Sequence, residues 1–189
     1  MFKWSKPSKS DYIFLGAILI LLFTPLGTFV KVQVNRLFAF SPSVIEKADQ
    51  KKLENYRWIL MDNEENRIDF SNQKGRVTIV NYWATWCPPC LAEMPSFQSL
   101  YEDYKDRVDF MFVSNEELEI TQAYLSRKNY TLPSYKPLSE PPGLLFTESL
   151  PTSYLIDKNG NILIKKVGAA DWNSAKTRAI LDKTLAENP

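Results

Sequence analysis

The residues in this 189-residue chain best suited to chemistry are its two cysteines, Cys87 and Cys90, separated by Pro88 and Pro89. Two thiols at this spacing can meet in a disulfide, which needs Cα atoms roughly 4.4 to 6.8 Å apart, and can open and close it by exchange. The chain contains no histidine. That excludes a histidine general base, a Ser/His/Asp or Cys/His nucleophile pair, a histidine-ligated metal and histidine-held haem. Two sulfurs without histidine are too few for a zinc centre. The other readings of such a pair are half of a metal site, two inert thiols, or a Cu(I)-binding module delivering the ion, since soft thiolates select it.

The surrounding sequence sets the context. Val77 to Trp83 is rich in β-branched and aromatic residues and reads as a strand covered on both faces. Pro88 to Lys105 carries Leu91, Met94, Phe97, Leu100, Tyr101 and Tyr104 at helical spacing, with a kink expected at Pro95. Cys87 therefore falls at a helix cap and Cys90 in the first turn. The positive end of the helix lowers the Cys87 pKa and makes it the attacking sulfur, with Cys90 resolving. Neither proline offers an N–H to the thiolate, so its stabilisation is moderate. The expected behaviour is that of a reductant or balanced exchanger.

Other elements follow from pattern. Tyr56 to Met61 and Arg67 to Phe70 flank a polar turn and predict a hairpin; Val108 to Ser114 predicts a strand, Glu117 to Lys128 a helix, and Ser134 to Leu138 an extended piece. Thr152 to Ile156, the Asp157–Gly160 turn and Ile162 to Val167 predict an antiparallel hairpin, and a helix from Ser174 to Leu185 closes the chain. Alternating helix and strand implies an α/β layer fold with parallel pairing.

Ahead of this domain, Tyr12 to Val30 is uncharged over 19 residues. As one helix it reaches about 28 Å, against a hydrocarbon core of roughly 30 Å. An uncleaved transmembrane anchor is favoured over a cleaved signal peptide or a buried helix, because the run exceeds a usual signal core and no small-x-small site follows closely. The expected organisation is a cytoplasmic head over 1–11, an anchor over 12–30, a tether over 31–52 with an interfacial start at Leu37 to Phe40, and a domain over 53–189 outside the cytoplasm. A formal charge of +1 gives no field to draw nucleic acid.

The block from Asn81 to Pro95, NYWATWCPPCLAEMP, resembles the active-site block of the TlpA/ResA-like branch of the thioredoxin family, and Leu150 to Asp157 resembles its second block. The resemblance implies a thioredoxin fold, a central mixed sheet flanked by helices with an amino-terminal hairpin extension. It implies a membrane-anchored, extracytoplasmic (periplasmic) thiol-disulfide oxidoreductase acting on disulfides of exported proteins. Apocytochrome thiols during cytochrome c maturation are among the substrates it allows. No cofactor is expected, and electrons come from a membrane donor protein.

Several positions carry over from the resemblance. Pro151 matches the family's cis-proline, the other reading being an ordinary strand-start proline. Leu150 beside it would pair with an extended substrate. Glu93 matches a glutamate that some members place near the disulfide; it is either the acceptor of the Cys90 proton or a solvated acid. Asn81 stands where thioredoxin has a buried acid, and an amide cannot take up a proton. Trp86 is either a docking surface or core material, and Trp83 and Trp172 are packing residues. The stretch from Ser139 to Leu150 departs from the family, and Leu144, Leu145 and Phe146 are expected to form an apolar rim that selects partners.

Overall fold

A computed structural model describes residues 8–37 and 39–187. Two helices open the described chain, α1 (Lys9–Phe23) and α2 (Pro25–Leu37). The run Tyr12 to Val30 is thus divided. Pro25 has no N–H to continue α1 but suits a first helical position, and the Thr24 hydroxyl accepts the Gly27 N–H at 3.2 Å. Among the described residues no helix is long and apolar enough to cross a membrane. Residues 1–7 of the expected cytoplasmic head, and residue 38 within the expected interfacial start, lie outside the described residues.

The rest builds a seven-stranded mixed sheet in the order β2-β1-β5-β4-β3-β6-β7. The strands are β1 (Ile59–Met61), β2 (Arg67–Asp69), β3 (Thr78–Tyr82), β4 (Asp109–Val113), β5 (Ser134–Pro137), β6 (Thr152–Ile156) and β7 (Ile162–Val167). Helices α3 (Pro88–Tyr104), α4 (Leu118–Arg127) and α5 (Ala175–Ala186) complete the fold. Parallel pairing holds where helices connect strands, β3 with β4 and β4 with β5; β6 runs antiparallel to β3 and β7 to β6. The early hairpin adds β1 and β2 to the β5 edge. Ser174 caps α5, its side chain accepting the Thr177 N–H.

Successive strand residues point to opposite faces, and the two cores follow that parity. Ile79, Phe110, Phe112 and Leu155 pack on one face with Phe97 and Leu100 of α3, Tyr124 of α4 and Leu181 of α5. Val80, Met111, Val113, Tyr154 and Ile156 pack on the other with Trp58, Phe70 and Leu145. Residues flanking the hairpin, Tyr56, Trp58 and Phe70, together with Leu145 from the segment after β5, thus cover this second sheet face. The strands' near-continuous apolar character has this cause.

The segment expected as a tether is held along the domain in its second half. Phe40 O accepts the Asp171 N–H, Ile45 N–H donates to Leu163 O, and Lys51 O accepts the Ile162 N–H. Lys52 makes an isolated bridge with Asn161. Backbone pairing that satisfies donors on β7 outweighs the freedom its polar composition suggested.

Candidate active site

Cys87 caps α3 and Pro88 and Pro89 occupy its first two positions. Both prolines pre-set the backbone angle of a helix start, where a missing N–H costs nothing. Cys87 and Cys90 are joined in a disulfide with Cα atoms 5.3 Å apart. The Cys90 N–H donates to Cys87 Sγ at 3.3 Å. The prolines withhold their own donors, so this amide is what the helix end offers the sulfur. Cys90 is fully buried and Cys87 is 4% exposed. The helix continues through Pro95 to Tyr104, helped by the Ser96 hydroxyl, which donates to Glu93 O at 2.7 Å and accepts the Trp172 N–H at 3.2 Å.

Strand parity places the polar partners. Asn81 lies opposite Ser153 in the β3–β6 register and on the face covered by α3. Its Nδ2 donates to Ser153 Oγ at 2.8 Å and to Glu93 Oε1 at 2.7 Å. Glu93 Oε2 accepts the Ala170 N–H at 3.2 Å. Glu93 is only 1% exposed, so the solvated-acid reading does not hold. Burial raises its pKa to about 8, against the opposing pull of the hydrogen-bonded Asn81 amide and Ala170 N–H and of the nearby Trp172 indole and Lys166, neither of which is hydrogen-bonded to it. Asn81 Oδ1 and the buried Trp83 Nε1 have no hydrogen-bond partner among the described residues.

The Leu150–Pro151 peptide bond is cis. Pro151 directly precedes Thr152, which pairs with Tyr82 at the end of β3, so it stands beside the loop leading to Cys87. Leu150 is half-buried, and its backbone amide and carbonyl make no hydrogen bond among the described residues. Trp86, 69% exposed, projects from that loop. The expected rim is corrected by the structure. Gly143–Leu145 forms a 3-10 turn that sends Leu145 fully into the core and leaves Leu144 half-buried against it, with Phe146 51% exposed.

Glu116 was not singled out from the sequence. It accepts the Thr85 N–H and the Thr85 hydroxyl, each at 2.6 Å, fixing the loop just before the disulfide. Only the position of the Ser114–Glu116 turn at the end of β4, beside the end of β3, brings it there, and no local motif marks it. Among the described residues no group of three or more Cys, Asp or Glu side chains is placed to hold a metal ion.

Residues 40–185 match the family model described as Redoxin. The chain is 33% identical over 129 residues to the thiol-disulfide oxidoreductase ResA of Bacillus cereus, covering 64% of this chain and 74% of that one. It is 28% identical over 141 residues to the sporulation thiol-disulfide oxidoreductase A of Bacillus subtilis, covering 70% and 83%. A DsbF homologue from Corynebacterium diphtheriae shares the fold with a TM-score of 0.59 at 16% identity, over 76% of this chain and 92% of that one. With a helix-capping Cys-Pro-Pro-Cys disulfide on a thioredoxin-like sheet, the chain belongs to the redoxin family and is a thiol-disulfide oxidoreductase of its TlpA/ResA-like thioredoxin branch.

Proposed function

We propose that the protein reduces or exchanges disulfides in exported proteins, with Cys87 as nucleophile and Cys90 as resolving sulfur. The carrying observation is the Cys90 N–H donated to Cys87 Sγ at the start of α3, with Cys90 itself fully buried. A Cys87 thiolate attacks the substrate disulfide, forming a mixed disulfide and releasing one substrate thiolate. The Cys90 thiolate then attacks Cys87 Sγ, closing the Cys87–Cys90 bond and releasing the second. Two electrons pass from the dithiol to the substrate, and a membrane donor protein restores them. Glu93, in the fraction of molecules where it is ionised, takes the Cys90 proton: a carboxyl with pKa about 8 lies close to the range of an ordinary thiol, so the fraction competent to accept grows as pH rises toward 8. Trp86, Leu150 and Pro151 receive the substrate chain beside Cys87, Leu150 through its unpaired backbone groups.

In this reading the amino-terminal region anchors the protein in the cell membrane, with the domain on the outer side. The support is the uncharged stretch from Tyr12 to Val30 and the exposure of Tyr12, Ile13, Phe14 and Phe29, each more than half open. Apocytochromes whose haem-attachment cysteines are joined in a disulfide are one substrate class within this function, the disulfide being reduced to two thiols.

Trapping tests the reading. A Cys90→Ser variant should accumulate mixed disulfides through Cys87 with its partners in the envelope, and a Cys87→Ser variant should not. Equal adduct formation by both variants would reject the assigned roles.

A further inference from the structure

A groove of about 800 Å³ opens on the other side of β3 from Glu93, between Trp86 and the segment that follows β5. Trp86, Leu138 and Phe146 are its exposed apolar residues, and Leu150 also lines it, so it begins where a substrate disulfide must approach Cys87. Parity explains the location: Asn81 faces α3, and Tyr82 faces the opposite way, into the groove wall, stacked on Trp58 with ring centroids 5.9 Å apart.

The wall is held in place from below. Trp58 Nε1 donates to Ser139 O at 3.1 Å, and the Ser139 hydroxyl accepts the Ile59 N–H at 2.9 Å. Pro141, Pro142 and the buried Leu145 restrict the following residues. Binding therefore needs little ordering of the receptor.

Charge selects the occupant. Glu140 and Glu148 both line the groove, both are exposed, and neither is in an ion pair among the described residues. No lysine or arginine among the described residues lines it, although the chain as a whole is nearly neutral at +1. An apolar floor with an acidic rim complements an apolar side chain flanked by cationic ones.

We propose that this groove binds an extended segment of the disulfide-bearing substrate that carries an apolar residue and one or more lysines or arginines near its cysteine. The inference rests on the thiol-exchange reading and adds to it a substrate class.

The test uses the full reduced chain and short synthetic peptides sharing one disulfide and one leucine, flanked by lysines in one and by glutamates in the other. Rates are normalised to that with hydroxyethyl disulfide on the same preparation, which reports the dithiol alone. The lysine peptide should react with roughly tenfold higher kcat/KM at low ionic strength, the advantage shrinking at about 0.5 M salt. Glu140→Gln with Glu148→Gln should bring the two peptides to near parity, and Glu140→Lys with Glu148→Lys should reverse the preference. Replacing the peptide's leucine with serine should lower kcat/KM about fivefold. Equal rates for the two peptides, a preference that survives both double substitutions, or indifference to the leucine would each overturn the groove assignment. Failure to react with hydroxyethyl disulfide would instead overturn the exchange reading beneath it.

Discussion

Asn81 Nδ2 donates to Glu93 Oε1 at 2.7 Å, joining the central strand to the helix that carries the disulfide. The amide leaves the carboxyl as the one group of the pair able to exchange a proton, and burial sets when it does so.

The stability of the oxidised protein should carry the mark of this carboxyl. Its folded pKa, about 8, stands above its ordinary 4.5, so the folded state keeps a proton the unfolded chain gives up. The resulting contribution is complete below about pH 4.5, declines as pH rises, and is lost above about 8. Urea midpoints across that interval should fall in the unmodified protein relative to Glu93→Gln, by an amount on the order of a few kcal/mol in free energy. Parallel pH profiles for the two proteins would contradict the assignment.

Glu116 holds Thr85 through two hydrogen bonds to its carboxylate. Such bonds to a charged group contribute about 1.5–3 kcal/mol each, less when water can replace them. Glu116→Ala should therefore lower stability by roughly 2 kcal/mol and speed proteolysis at the loop before Cys87. Thr85→Ser keeps both donors and should behave nearly as the parent.

Two glycines separate close approach from conformational preference. Gly160 has φ of 85°, and a Cβ there would lie 2.7 Å from Tyr56 Oη and 2.8 Å from Leu53 O. Gly75 has φ of 86° with nothing within 4 Å of such a Cβ. Gly75→Ala should cost roughly 1–2 kcal/mol, and Gly160→Ala clearly more, as read from denaturant unfolding. Equal costs would mean that the segment before β1 does not press on the β6–β7 turn.

Trp86→Ala should separate docking from folding. The side chain is 69% exposed, so its removal should change stability by less than about 0.5 kcal/mol. The kcat/KM for polypeptide disulfides should drop severalfold. A large loss of stability would return Trp86 to the core.

Much of this arrangement was legible because it follows from local pattern. The apolar run at Val77 to Trp83, the helical spacing after Pro88 and the Ser174 cap each depend on neighbours in sequence, and the elements lie within a residue or two of their expected bounds. What was hidden depends on distant contacts. Leu144, Leu145 and Phe146 are alike in composition, yet a single 3-10 turn sends them to different environments. For Glu93 the sequence left a proton acceptor and a solvated acid both open, and only the Asn81 and Ala170 donors, from other elements, show that it is buried. The division of the apolar run at Thr24 was visible as Pro25, but its outcome depended on the threonine hydroxyl capping a second helix.

Only Ala39 and residue 38 lie between the end of α2 and the backbone hydrogen bond from Asp171 to Phe40, and α2 packs along α3. The helix that leads into the domain therefore lies against the same helix that begins at Cys87, so a substitution on the α2 face toward α3 would be felt at the base of the disulfide-bearing helix.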